Sequence, residues 1–238
     1  MEKILITNDD GPDTPLLKPF LEQLEKETNW EIYTIIPDKQ QSWTSKAITR
    51  YQIVEIKKTS EKQWQVSGTP ATCVNIALYN ILKEQQISLV ISGPNFGHNV
   101  GRSSILSSGT VGGAVEAAIA GKKAIALSFP YFGKTDEKQI NNAIKNAVNI
   151  VKILHNDWEP NTHIYNVNIP LNIEKKPEVI FTKIWRDNYK QLFTEIETNK
   201  YKQTGGVSPS KVEKPTLGTD MWAIKNKKIS ISRINIDL

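Results

Sequence analysis

The stretch Lys3-Ile4-Leu5-Ile6-Thr7-Asn8-Asp9-Asp10-Gly11 decides the fold. Its first five residues hold three consecutive aliphatic side chains, the pattern of a strand buried on both faces. The run stops at Asn8-Asp9-Asp10-Gly11, residues that favour turns. Beyond the turn, Leu16, Leu17, Phe20, Leu21 and Leu24 recur at helical spacing over about Pro15–Lys26. A buried strand, a polar turn and an amphipathic helix open a strand–helix–strand unit. The next strand is predicted at Trp30–Ile36, ending in Pro37-Asp38.

The alternation continues outward. Tyr51–Ile56 and Gln63–Val66 predict a hairpin, and Thr69-Pro70 opens a helix to about Lys83, with Pro70 in its first turn. Ile87–Ser92 is strand-like, a Gly/Asn-rich loop runs to Ser108, Gly109–Ala120 is a small-residue helix, and Ala124–Phe129 is a buried strand. This order predicts an α/β fold, a Rossmann-like and mostly parallel sheet with helices on both faces. Further on, Asp136–Leu154 has helical spacing, and His163–Ile169 and Val179–Ile184 read as strands. Residues 198–220 are polar and read as a long loop or arm, and Trp222–Ile224 with Ile229–Ile234 predicts a last hairpin around Asn226. The expectation is one domain over 1–238: a core over 1–130, then a smaller β-rich part over 131–238. An oligomerisation arm is expected around 171–238.

Composition narrows the function classes. Hydrophobic residues at 39% and charged residues at 23% exclude a disordered, collagenous or coiled-coil chain. No apolar run approaches the roughly 20 residues of a membrane span, and the acidic N-terminus does not read as a signal peptide. The single cysteine, Cys73, excludes an intrachain disulfide framework and a multi-cysteine zinc site, which suits the cytoplasm. Cys73 itself falls on an apolar helix face and reads as core. The formal charge is +5, and all of it arises after residue 170: residues 1–170 carry 17 basic and 17 acidic side chains, residues 171–238 carry 13 and 8. The late lysines, Lys175 and Lys176 among them, are scattered, so they read as a solvated face rather than a specific nucleic-acid site.

In an open parallel sheet, ligands bind beyond the carboxyl ends of the strands. Three predicted strand ends carry oxygen ligands: Asp9-Asp10; Pro37-Asp38 with Ser42; and Ser92-Gly93-Pro94-Asn95-Phe96-Gly97-His98-Asn99. Carboxylate, hydroxyl and amide oxygens suit Mg²⁺, Mn²⁺ or Ca²⁺ rather than zinc. Asp-Asp-Gly alone is equally turn chemistry, and both readings stand at this point. Ser107-Ser108-Gly109-Thr110 heads the Gly-rich helix and could hold a phosphate on unpaired N–H groups, or serve only as a cap with tightly packing glycines. The GxxxxGK[ST], GxGxxG and GxSxG patterns are missing. His98 could be an acid, a base, a substrate contact or an ordinary loop histidine, and His155 and His163 read as structural or surface residues.

Taken in order, several segments resemble the SurE (stationary-phase survival protein) family of metal-dependent 5′/3′-nucleotidases. They are Ile4–Gly11, Pro37-Asp38 to Ser42, Ser67-Gly68-Thr69-Pro70-Ala71, Ser92–Gly97 and Ser108-Gly109-Thr110-Val111-Gly112. Asn166-Val167-Asn168-Ile169-Pro170 and Gly218-Thr219-Asp220-Met221-Trp222-Ala223 resemble its later motifs, and the Asn95 loop is closer to the fungal and plant branch. The resemblance implies one divalent metal ion per subunit, Mg²⁺ or Mn²⁺ with Ca²⁺ as a resting occupant, on Asp9, Asp10, Ser42 and Asn95. It implies catalytic roles for Asp9, Asp10, Asn95 and Ser108, and substrate contacts from Asn8, His98, Asn99, Ser107, Ser108, Gly109 and Thr110. The implied substrate is a nucleoside monophosphate and the implied assembly a homodimer or homotetramer. Rival readings are a phosphatase acting mainly on polyphosphate or another phosphate ester and a non-catalytic nucleotide-binding dimer scaffold. Paired aspartates beside an anion site argue against the scaffold, because without a metal they repel phosphate.

Overall fold

Lys3–Thr7 forms strand β1, and its side chains alternate between two cores: Ile4 and Ile6 enter one, Leu5 the other. The computed structural model describes residues 1–173, 177–206 and 209–237. Lys175 and Lys176, and positions 207 and 208 of the polar segment, lie outside the described residues. After β1 come α1 (Leu17–Glu27), β2 (Glu31–Pro37), β3 (Ile56–Ser60), β4 (Gln63–Val66) and α2 (Pro70–Ile76), which runs on as a π turn over Ala77–Ile81. Then follow β5 (Ile87–Asn95), α3 (Arg102–Ser107), α4 (Gly109–Ile119), β6 (Lys123–Ser128) and α5 (Glu137–Asn156). The chain closes with β7 (Ile164–Asn168), β8 (Val179–Phe181), β9 (Phe193–Glu197), β10 (Lys200–Gln203), α6 (Asp220–Lys225) and β11 (Ile229–Ile234).

Among the described residues, nine strands join in the order β3-β4-β2-β1-β5-β6-β7-β11-β8. The block from β4 through β7 is parallel throughout; β3 runs antiparallel on β4, and β11 antiparallel on β7. One core packs Phe20 and Leu24 of α1 and Ala147, Val148 and Val151 of α5 on Ile4, Ile6, Ile91 and Ile125. The other packs Cys73 and Val74 of α2 and Ala114 and Ala117 of α4 on Leu5, Val90 and Ala124. Helices on both faces explain why the central strands read as continuous apolar runs. From β1 the chain moves to β2 on one side and later to β5 on the other, which makes the β1/β5 boundary the switch point where a crevice opens.

Several expected elements differ. Tyr51–Ile56 is not a strand: Tyr51 adopts φ 65°, and the strand starts at Ile56. All of β3 is exposed, so no apolar alternation marks it. The loop expected up to Ser108 contains α3. The expected last hairpin is absent, because Trp222–Ile224 lies in α6, which Thr219 caps by accepting the Trp222 N–H. A three-residue apolar run does not separate strand from helix, and the cap decides it. β11 pairs instead with β7 and β8. At the start of the polar segment, β10 pairs with β9, which precedes it, in a small antiparallel hairpin whose strand residues are all exposed.

Candidate functional site

β1 ends at Thr7, and the chain turns because the Asn8 side chain bonds Gly11 twice, donating to its carbonyl (2.9 Å) and accepting from its N–H (3.1 Å). This Asx turn fixes Asp9 and Asp10 at the strand end. On the far side of the switch point, Asn95 closes β5. Ser42 arrives on the loop after β2, which is tied down where Gln41 N–H donates to the Asp9 carbonyl (2.7 Å) and Ser45 N–H to the Ser107 carbonyl (3.0 Å). The result is a cavity of about 250 Å³ whose wall includes Asp9, Asp10, Ser42, Asn95, His98, Asn99, Ser107 and Ser108. Three distant strand ends therefore do meet.

The carboxylates are held differently. Thr110 Oγ1 donates to Asp9 Oδ1 at 2.6 Å, and Phe96 N–H donates to Asp10 Oδ2 at 2.6 Å. Burial pushes the Asp9 carboxyl up to about 7, the Thr110 hydrogen bond opposes this, and the neighbouring Asp10 charge adds to it. Burial also raises Asp10, against the Phe96 and Thr14 hydrogen bonds. A pair of desolvated acids, each with one oxygen committed, is an arrangement that a cation relieves. Asn95 donates its amide N–H to Ser128 Oγ (3.3 Å), which turns its carbonyl oxygen into the acceptor left for a ligand. No group of three His, Cys, Asp or Glu side chains suited to a metal occurs among the described residues. The donor set is two carboxylates, an amide and a hydroxyl, which fits a hard divalent ion.

Ser108 caps α4 by accepting the Val111 N–H at 3.1 Å, so its own hydroxyl proton remains to donate into the cavity, beside the positive end of the helix. Gly109 permits this closeness: a Cβ there would lie 2.9 Å from the Asp9 Cβ and 2.8 Å from the Gln41 carbonyl oxygen. Asn99 lies deeper, and its amide donates to Ser128 Oγ at 2.8 Å.

Not every expected contact reaches the cavity. Asn8, Gly109 and Thr110 stand behind its wall: Asn8 builds the turn, Gly109 the close packing, and Thr110 spends its hydroxyl on Asp9. Ser107 lines the cavity, but its hydroxyl is engaged with the Tyr189 hydroxyl and the Ser103 carbonyl. His155 is buried in edge-on contact with Trp30, as expected of a structural histidine, and Cys73 is fully buried. Sequence reasoning missed Trp43, Phe96 and Tyr189 in the wall. Trp43 and Phe96 directly follow the candidate ligands Ser42 and Asn95, a signal that was available. Tyr189 had none, because it comes from a segment 82 residues beyond Ser107.

Fold and site together define an open, doubly wound α/β protein with an oxygen-donor site and a helix N-terminus at its switch point. The family model described as "Survival protein SurE" matches residues 4–191, and the chain belongs to the SurE family. It is 34% identical to "5'-nucleotidase SurE" of Carboxydothermus hydrogenoformans over 99% of this chain and 91% of that one. A crystal structure of SurE from Aquifex aeolicus superposes with a TM-score of 0.81 at 31% identity, covering 99% of this chain and 94% of that one. The Saccharomyces cerevisiae protein named "Probable tubulin--tyrosine ligase PBY1" is 32% identical over 80% of this chain, which spans 32% of that longer protein.

Proposed function

We propose that this chain is a divalent-metal-dependent phosphomonoesterase that releases phosphate from nucleoside 5′- and 3′-monophosphates. One observation carries the reading: two adjacent, largely buried carboxylates open on the same cavity as Asn95, Ser42 and the capped N-terminus of α4. Carboxylates beside an anion-binding helix end are mutually hostile unless a cation sits between them. The family relatives named 5′-nucleotidase support the substrate class.

Asp9, Asp10, Asn95 and Ser42 would hold one Mg²⁺ or Mn²⁺. Such an ion supplies positive charge against a phosphoryl oxygen and makes water more acidic. Thr110 fixes one oxygen of Asp9 and the Phe96 N–H one oxygen of Asp10, which leaves the partner oxygens to hold such an ion. The Ser108 hydroxyl and the positive end of α4 stabilise the remaining phosphate oxygens as charge moves to the leaving alcohol.

The β9–β10 hairpin supports an oligomer. Phe193, Ile196 and Tyr201 are each more than half exposed, and a two-stranded ribbon of this size is not stable in water alone. A second copy that covers it gives a homodimer or homotetramer. No helix among the described residues is long and apolar enough to cross a membrane, and with the lone buried Cys73 this supports a cytoplasmic enzyme. A phosphate-release screen over nucleotides and polyphosphate, with Mg²⁺, Mn²⁺ or chelator, tests the function. Release from nucleoside monophosphates that stops with chelator is expected; release from polyphosphate alone overturns the substrate assignment.

A further inference from the structure

The cavity has a feature that the proposed cation and phosphate contacts do not involve: part of its wall is aromatic. Trp43 and Tyr189 stand together there, ring centroids 5.0 Å apart with planes tilted by 34°. Phe96 contributes another ring and is itself backed by Tyr131, stacked at 4.6 Å with planes 14° apart. Each ring is tied to residues of the polar site. Trp43 follows Ser42, Phe96 follows Asn95 and gives its N–H to Asp10, and the Tyr189 hydroxyl donates to the Ser103 carbonyl (2.8 Å) and pairs with Ser107. The Tyr189 ring is thus pinned at its polar tip.

Trp43 is the informative residue. It remains 50% exposed at the mouth of the cavity, a large apolar surface left in water. It also adopts φ 65°, a left-handed backbone conformation that is unfavourable for a bulky side chain. The loop is held in that shape from both ends, by Gln41 on the Asp9 carbonyl and Ser45 on the Ser107 carbonyl. Core packing does not explain a strained, half-exposed tryptophan beside a polar site. A flat ligand does: it would cover the exposed ring and gain stacking area.

We propose that Trp43, together with Tyr189, forms a stacking platform for the nucleobase of the substrate. The platform makes this enzyme prefer nucleotides over phosphate esters that lack an aromatic ring. Stacking on a π face tolerates every base, so the platform separates nucleotide from non-aromatic phosphate rather than one base from another. The proposal deepens the phosphomonoesterase reading above and rests on it for the position of the phosphate.

The test compares adenosine 5′-monophosphate with ribose 5-phosphate, which share the phosphate and sugar and differ only in the base. The readout is the ratio of their kcat/KM values in the wild type, Trp43→Leu, Tyr189→Leu and Tyr189→Phe. The wild type is expected to favour the nucleotide by about tenfold or more, the span of one base–aromatic stack. Trp43→Leu and Tyr189→Leu should bring the ratio towards one, whereas Tyr189→Phe keeps its ring and most of the preference. An internal ratio is insensitive to the fraction of folded enzyme. A wild type without preference, or leucine variants that keep the wild-type ratio, overturns the platform. Should neither ester be hydrolysed, the phosphomonoesterase reading fails instead. Calorimetric affinities for the same two ligands then decide the platform: equal binding, or a nucleotide preference that survives Trp43→Leu, sinks it.

Discussion

The side-chain amide of Asn168 holds the backbone of Asn99 at two points: its Oδ1 accepts the Asn99 N–H at 2.9 Å, and its Nδ2 donates to the Asn99 carbonyl at 3.0 Å. Asn166 adds a second donor to that carbonyl at 2.7 Å. Both asparagines are fully buried on β7. They fix the loop that begins at Asn95, at a point four residues from this candidate ligand. Asn168→Asp replaces the donor with a second acceptor facing a carbonyl. The expected cost is about 1–3 kcal/mol in denaturant unfolding, with weaker Mn²⁺ binding by calorimetry. Unchanged stability and unchanged metal affinity would show that the loop is held elsewhere.

Asp9→Asn and Asp10→Asn remove one charge each from the proposed cation site at nearly constant volume. Phosphate release is expected to be abolished while circular dichroism stays that of the wild type, with metal affinity reduced in titration calorimetry. Near-wild-type turnover of both variants at saturating Mn²⁺ would refute the ligand assignment.

The Asp9 carboxyl gives the metal-free protein a defined pH dependence. Its folded value of about 7 lies above the ordinary 3.8. Below pH 3.8 the group is protonated in both the folded and the unfolded chain. Between about 4 and 7 the unfolded chain ionises first, so stability falls as pH rises, and above about 7 the loss is complete. The upper bound is about 4 kcal/mol. Urea midpoints of chelated protein should fall across that window, Asp9→Asn should flatten the fall, and added Mn²⁺ should offset it most at the alkaline end. A metal-free wild type with the same profile as Asp9→Asn contradicts this.

Gly112 faces the loop that carries Ser42. A Cβ there would lie 1.9 Å from the Ser45 carbonyl oxygen, a backbone atom that cannot turn aside. Gly112→Ala is expected to displace the loop, lowering stability by about 1–3 kcal/mol and phosphate release at least tenfold. Retention of both would mean that the loop tolerates the shift.

Removal of the exposed hairpin tests the assembly. Full-length protein should sediment as a dimer or larger at micromolar concentration, and a variant with 193–203 replaced by a short Gly-Ser turn should sediment as a smaller species. A full-length monomer excludes the oligomer.

The sequence by itself determined the strand–helix alternation through residue 130 except at the exposed β3 and the short α3, because buried parallel strands and amphipathic helices write their burial into local periodicity. It also determined the paired aspartates at the first strand end, and it left Ser108 open between a helix cap and a phosphate contact. The helical spacing over Asp136–Leu154 was equally local, and the structure adds the cap, Asp136 accepting the Gln139 N–H at 2.8 Å. Tertiary structure decided what depends on sheet order. Only the arrangement β2-β1-β5 places Ser42, Asp9 and Asn95 around one cavity, and no local pattern encodes which strand lies beside which. The same holds for Tyr189, brought to Ser107 from a segment without regular structure, and for β11, whose partners are β7 and β8 rather than its sequence neighbour. Thr110 reads as a substrate contact from its place at a helix start, yet its hydroxyl serves Asp9. Packing of α4 against the end of β1 decided that, because a buried carboxylate takes the nearest donor.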